Sequence, residues 1–462
     1  MATTTRRVLL IAYQFPPVGG AGVQRVAKFT KYLPEHGWEV SVLTVSNPSV
    51  PVTDRSLLEE IPPQTIIRQA KSWEPGYRLK QTLTQGSPPD SRRAGWLTKI
   101  KRAVRSVATM LLQPDPQILW VPEAIRQGRR LLRELPHHAI LVSGPPFSSF
   151  LVGAALRRFS GLPLVLDYRD EWTISNRYWE NKSHHPITQW VQHALQKLVI
   201  RHADTAIATT QRSARTLEQE SRNAGRPIPV RCLYNGFDPA DLPQLQPRVA
   251  ERDGRRFRLS HVGTLWNLTT SRALVEAIER LASRSPDLAS RLEIELVGRC
   301  TTAEESLLQR LQKLPCRLLR QEYVDHSSAV RVMGEADELC LLLSDVPGAE
   351  RVVPGKTFEY LATGRAILAI TPEGELRDVL RGFAGVSVFA PQDVAGLCEH
   401  LERRLAALSP ETSHTRELAG FDRRQQAGQL AEVLSQVAAS VSARSNVGRN
   451  DLLDLDAVAT AD

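Results

Sequence analysis

Lys356 and Glu359 stand three residues apart in Val353-Pro354-Gly355-Lys356-Thr357-Phe358-Glu359-Tyr360-Leu361-Ala362-Thr363-Gly364-Arg365, a cation and a carboxylate at the start of one short helix. Proline and glycine suit a helix's first turn, where the missing proline amide costs nothing and unbonded N–H groups face an anion. Gly364 stops the helix. Phe358, Leu361 and Ala362 fall at i, i+3 and i+4 and form a buried stripe, which leaves Lys356 and Glu359 together on another face. The chemistry this arrangement suits is binding of a diphosphate by Gly355, Lys356 and Thr357, with Glu359 accepting hydrogen bonds from a ribose diol. An exposed Lys/Glu pair on an ordinary amphipathic helix has the same spacing, so the local pattern leaves both readings open.

Three further glycine turns lie at strand ends. Val8 to Ala12 reads as a buried parallel strand that runs through Gly19-Gly20 into a helix marked by Val23, Val26, Phe29 and Leu33. Strand, glycine-rich loop and helix make a phosphate-ready unit. It is not a dinucleotide fingerprint, because Arg25 stands where the third glycine belongs and the second strand, Trp38 to Val45, ends in Ser46-Asn47 without the acidic residue that a NAD ribose requires. Phe257 to Val262 is a strand ending in Gly263, and Leu292 to Val297 another ending in Gly298-Arg299, where Arg299 is placed either to meet a phosphate or to cap the sheet.

These turns need a scaffold large enough to hold them. The 462 residues are 42% hydrophobic and 24% charged, enough for two or three domains with cores of their own. The five cysteines are scattered, which suggests neither a zinc site nor a disulfide framework and fits a reducing, cytoplasmic compartment. His184, His185 and His193 lack carboxylate or cysteine partners at ligand spacing, so no metal is expected. Met1 to Tyr13 reads as a first strand rather than a signal peptide, and no apolar run reaches transmembrane length.

A net charge of +9 implies an anionic partner. Zinc-finger spacing, RNA-binding aromatics and basic-region heptads are all missing from the sequence, which disfavours nucleic acid. Arg92 to Leu112 offers a more specific surface. Leu97, Ile100, Val104, Val107 and Leu111 form one helical stripe ringed by Arg92, Arg93, Lys99, Lys101, Arg102 and Arg105. That pattern suits either the surface of an anionic bilayer or a core helix with a basic back.

The remaining chain reads as alternating strands and helices. Pro48 to Ser91 is an excursion over the surface, rich in proline and polar groups. Ala139 to Val142 and Leu162 to Leu166 are strands that end in Ser143-Gly144-Pro145-Pro146-Phe147-Ser148-Ser149 and Asp167-Tyr168-Arg169-Asp170-Glu171-Trp172. Carboxyl ends of parallel strands are where open sheets gather their chemistry, which makes Arg169 and Asp170 candidates for acceptor contacts. A structural ion pair capping the strand is the alternative. Asn176 to His185 is a basic, aromatic run with the look of an acceptor loop.

"VPGKTFEYLATGRAIL" resembles the nucleotide-sugar segment of the retaining, family-four glycosyltransferases of GT-B fold (glycosyl transferases group 1), in the branch that reads PGK and FEY. "PPVGGAGVQR", "KYLPEHGWEVSVLT", "QPDPQILWVPEAI", "SGPPFSS", "DYRDEW" and "YNGFDPADL" are similar to other segments of that family. The resemblance covers about Arg7 to Ala439 and implies an α/β chain of two Rossmann-like doubly wound domains facing a cleft. The acceptor-side domain is expected over 1–242 with the excursion 48–112, a linker over 243–256, and the nucleotide-sugar domain over 257–414. A crossover helix over 415–439 and a disordered tail over 440–462 complete the expectation.

By this resemblance Gly19, Gly20, Gly263, Arg299, Gly355, Lys356, Thr357 and Glu359 face the donor, and Glu359 binds its ribose. The family's companion glutamate would fall eight positions earlier, where this chain has Arg351, with Glu350 one residue out of register. Relatives carry a histidine near the first of the two loops, where this chain has Ser143 and Gly144, so no general base is named. The implied reaction moves a hexosyl group from a nucleotide-sugar, with retention, to a glycan or lipid-linked acceptor in cell-surface polysaccharide or glycolipid synthesis. It uses no cofactor or metal, and is placed in the cytoplasm, peripheral to the inner membrane leaflet. A non-catalytic sugar-nucleotide-binding protein and a sugar-nucleotide epimerase of the same fold are the alternatives.

Overall fold

The computed structural model describes residues 6–50, 52–76, 112–174, 186–242, 256–407 and 414–458, with side chains to 440. The basic stretch from Arg92, apart from Leu112, lies outside the described residues, as do the run Asn176 to His185 and nearly all of the linker. The chain forms two compact units: Met1–Thr209 with Ala214–Leu233 and Ala427–Asp462, and Thr210–Ser213 with Tyr234–Gln426.

The first unit is built on β1 (Arg6–Ala12), β2 (Trp38–Val45), β3 (Ile66–Ala70), β4 (Ala139–Gly144), β5 (Leu164–Tyr168), β6 (Thr205–Ala208) and β7 (Val230–Cys232). Every pair is parallel and the order is β3-β2-β1-β4-β5-β6-β7. Its central strands are largely apolar and buried because both faces are covered, as parallel sheets require. One face buries Leu9, Ile11, Leu43, Ile140, Val142 and Leu166 under α2 (Val121–Glu134), α3 (Ser148–Ser160), α4 (Pro186–His202) and α5 (Gln211–Asn223). The alternate residues Val8, Leu10, Val40, Val42 and Leu141 face α1 (Ala21–Tyr32) and the final helix of the chain. β3 lies inside the stretch expected to be a surface excursion. It is an edge strand with alternate residues exposed, set between proline-rich segments that mask so short a β-branched pair.

The second unit contains β8 (Phe257–Val262), β9 (Leu292–Val297), β10 (Arg317–Gln321), β11 (Glu338–Leu342), β12 (Ala366–Ile370) and β13 (Val386–Phe389), all parallel, in the order β10-β9-β8-β11-β12-β13. One face carries α6 (Arg272–Arg284), α7 (Pro286–Ala289), α8 (Thr302–Leu311) and α12 (Val394–Ala407). The other carries α9 (His326–Glu335), α10 (Lys356–Ala362) and α11 (Glu375–Leu380). Both sheets are thus doubly wound, and in each the strand order reverses beside the first strand: β1 against β4, β8 against β11. Ligands of such folds bind outside the carboxyl ends at that reversal.

The boundaries differ from those expected. The second unit begins at Tyr234 rather than after the linker, because Tyr234 and Phe237 pack beside Phe358 and Phe421 in its core. The last helix, α13 (Arg423–Val458), belongs to the first unit from Ala427, where Ala427, Leu430, Ala431, Leu434 and Val437 are buried; its backbone stays helical through most of the tail expected to be disordered. Among the described residues no helix is long and apolar enough to cross a membrane.

Candidate functional site

In the first unit the loop after β1 is fastened before it reaches α1. Gly19 N–H donates to Val52 C=O at 3.0 Å and Asp54 N–H to Pro17 C=O at 2.8 Å, while Gly20 takes a left-handed φ of 105° as the residue that begins α1. Arg25, which displaced the third glycine of the fingerprint, is a buried structural residue. Its guanidinium donates to both oxygens of Asp167 at 2.9–3.2 Å, and Ser143 Oγ donates to Asp167 Oδ2 at 2.8 Å. Helix α1 and the ends of β4 and β5 are joined by that single carboxylate.

The acceptor-side candidates part company. Arg169 is buried, and its guanidinium donates to Gly22 C=O, to Gln14 Oε1 at 3.0 Å and to Pro145 C=O. It ties the glycine loop to the proline loop instead of projecting from them. Asp170, next along, is exposed. Gly22, which sequence reasoning passed over, is the glycine this tie depends on: a β-carbon there would lie 2.6 Å from Arg169 Nη1 and 2.8 Å from Gln14 Oε1.

In the second unit the donor candidates gather where β8 meets β11. Lys356 lies on the first turn of α10, and its Nζ is 3.1 Å from His261 Nε2 near the end of β8. His261 Nδ1 is 2.8 Å from Cys340 C=O on β11. A carbonyl only accepts, so Nδ1 carries the proton and Nε2 accepts from the ammonium. Burial, reinforced by the neighbouring Lys356 charge, holds the His261 imidazole well below its ordinary range and therefore neutral. Gly263, at φ 141°, presents a bare Cα to Lys356, and a β-carbon there would overlap Nζ. Gly298, at φ 132°, packs against the Gly263 carbonyl, leaving equally little room.

Lys356 is partly buried, and desolvation brings its ammonium down to about 8 against the opposing charge of Glu359 one turn along. Glu359 is 21% exposed, with Oε1 3.9 Å from His326 Nε2; that nitrogen is 3.2 Å from Asp241 Oδ2. Tyr360 anchors the helix from beneath, its hydroxyl accepting from Val262 N–H at 2.8 Å.

Other expectations are redistributed. Thr357 is wholly buried. The Thr357 and Phe358 N–H groups turn back to Pro354 C=O at 3.0 Å and Gly355 C=O at 3.4 Å, so less of the helix start faces outward than the Pro-Gly signature implied. Gly355 is the N-cap, and a β-carbon there would meet Asn235 Nδ2 at 3.8 Å, an ordinary contact. Arg299 is exposed beyond β9, its carbonyl accepting from Leu265 N–H at 2.8 Å. At the position of the missing glutamate, Arg351 pairs with Glu350 at 2.6 Å, and Glu350 also accepts from Gly348 N–H at 2.9 Å. His261 was missed in the sequence, although a polar residue at the carboxyl end of an apolar strand is the signal that marks such positions.

Residues 19–236 match a protein family described as "Glycosyl transferase 4-like domain". Among curated proteins none matches the chain by sequence. Among solved structures it is similar to HepE (Alr3699) of Anabaena in complex with UDP and glucose, at 15% identity and a TM-score of 0.52 over 96% of this chain and 100% of that one. It is also similar to an α,α-trehalose-phosphate synthase (UDP-forming) from Burkholderia vietnamiensis, at 14% identity and 0.53 over 96% and 99%. WaaG, a glycosyltransferase involved in lipopolysaccharide biosynthesis, matches at 13% and 0.52 over 94% and 99%. The chain thus carries a glycosyl transferase 4-like domain over residues 19–236, within a GT-B fold that extends over nearly its whole length.

Proposed function

We propose that the enzyme transfers a hexosyl group from a nucleotide-sugar, with retained anomeric configuration, to a glycan or lipid-linked acceptor in cell-surface polysaccharide or glycolipid synthesis. The observation that carries this reading is the pairing of Lys356 and Glu359 beside the glycine turn at the end of β8. One side chain suits a diphosphate and the other a ribose diol. UDP and glucose in the HepE structure support a donor of that class. As the bond to the sugar breaks, negative charge grows on the departing diphosphate. A fixed ammonium stabilises that charge more in the transition state than in the ground state, which is what raises the rate. Asp170 is the acceptor-side contact in this reading, with Arg169 behind it holding the loop.

Glu359→Ala is expected to weaken nucleoside binding by roughly tenfold or more, the loss that follows removal of hydrogen bonds to a charged group. Glu359→Gln should fall between it and the parent. Calorimetric titration over a panel of nucleoside diphosphates checks this, and unaltered affinity would remove the ribose role. Incubation with nucleotide-sugars and candidate acceptors then separates the alternatives: a transferase releases nucleoside diphosphate, an epimerase interconverts the donor, and a binding protein does neither.

Peripheral contact with an anionic membrane belongs to the same proposal. Helix α4 supports it: besides the buried Val199 and Ile200 that seat it on the core, it carries a second apolar face turned outward. Thr188, Gln192 and Gln196 are buried, whereas Ile187, Trp190 (71% exposed) and Leu198 face outward beside Lys197 and Arg201, with no acidic residue on the helix. An outward apolar face bordered by cations suits the headgroup region of an anionic bilayer. The protein is expected to sediment with vesicles containing phosphatidylglycerol and not with phosphatidylcholine alone. Replacing Ile187, Trp190 and Leu198 together by serine should abolish this, and undiminished sedimentation would rule the face out.

A further inference from the structure

We propose that His261 is the positioning residue for Lys356, holding its ammonium at the end of β8 in the orientation that receives the donor diphosphate; this rests on the donor site read above. The imidazole bridges the two strands at the reversal of the second sheet. On one side Nδ1–H donates to Cys340 C=O at 2.8 Å, which fixes both ring orientation and tautomer. On the other side Nε2 offers its lone pair to Lys356 Nζ at 3.1 Å. Opposite His261 the ammonium meets the bare Cα of Gly263.

A lysine ammonium on a four-carbon stem is ordinarily mobile. Here it is confined between a fixed acceptor and a glycine, with one of its three N–H bonds committed and two left for an anion. Neutral imidazole is the right partner for this work. A carboxylate in its place would neutralise the charge that the diphosphate needs, and an imidazolium would repel it. The other ionisable group acting on Lys356 is Glu359 from its own helix, which favours the charged ammonium; the Cys340 thiol on β11 is kept protonated and neutral by burial. His261 supplies direction without supplying charge.

The test compares binding of UDP, GDP and ADP with binding of the matching nucleosides, using the pair that binds best. His261→Leu is expected to weaken the nucleoside diphosphate at least tenfold while changing the nucleoside less than twofold. It should also move the alkaline loss of diphosphate binding below the pH of about 8 set by Lys356, because an apolar neighbour disfavours the ammonium further. His261→Gln, whose side-chain oxygen accepts from Nζ, should restore most of both. Should the leucine variant not fold, His261→Asn takes its place, keeping the bond toward Cys340 and losing the one to Lys356. Native diphosphate affinity with an unmoved alkaline midpoint in the leucine or the asparagine variant would overturn the inference. Lys356→Ala is the control: if that variant keeps its preference for the diphosphate, the donor site itself is misread, whereas a lost preference there with native behaviour in His261→Leu or His261→Asn refutes the positioning role alone.

Discussion

Lys356→Ala is expected to lower kcat/KM for transfer from a nucleotide-sugar by on the order of 10²-fold, the loss typical when a preorganised donor to developing negative charge is removed. Affinity for the nucleoside alone should be nearly unchanged, because Glu359 carries that part. The effect has a pH signature. With the ammonium brought down to about 8, the parent loses diphosphate binding as pH rises through that value. Lys356→Arg stays charged throughout, so its activity, lowered by a planar fork in a slot shaped for an ammonium, should be flat across the same range.

The unliganded fold responds with the opposite sign. Lys356 has a folded value below its ordinary 10.5, so the folded chain holds a desolvated charge at a cost below about pH 8. Between about 8 and 10.5 the unfolded chain keeps the proton that the folded chain releases, and stability rises with pH there. Lys356→Met should therefore be more stable than the parent below about pH 8, with the difference shrinking through that window. Urea unfolding of both proteins at several pH values checks it, and a difference independent of pH would show that Lys356 bears no desolvation penalty.

Asp167→Ala is expected to destabilise the first unit by about 3–5 kcal/mol, the range for stranding one member of a buried ion pair. At the usual conversion for a unit of this size that is a fall of roughly 10 °C in melting temperature. Asp167 is fully buried; without it Arg25 keeps a buried charge and Ser143 loses its acceptor. Arg25 also lies over the Phe29 ring at 4.9 Å, so the guanidinium has no easy route to water. Replacing both partners, Arg25→Met with Asp167→Leu, should be milder than Asp167→Ala, because no charge is then left uncompensated. Thermal melts of the single and double variants decide this, and a single variant within about 1 kcal/mol of the parent would mean that water reaches Arg25.

The central strands of both sheets were legible because a parallel strand covered on both faces is written as a largely apolar run. β3 was not, since an edge strand with alternate exposure and proline-rich flanks carries too little of that signal. The proximity of Lys356 and Glu359 followed from helical spacing alone. What each touches did not: the histidine that holds Lys356 is 95 residues away, and the groups that occupy Arg169 include ones 147 and 155 residues away. Arg169 looked like a contact for substrate because arginine at the end of a strand has that chemistry, yet two loops use it as their tie.

Local order and composition thus determined the class of element, the sequence of strands and helices, and the chemical types at each strand end, because those depend on periodicity and on neighbours within a few residues. Tertiary structure alone decided which polar groups at those ends face each other. The reversal of strand order sets β8 beside β11 and β1 beside β4, bringing side chains from distant segments to hydrogen-bonding range, and a buried polar group is satisfied by whichever partner the packing delivers.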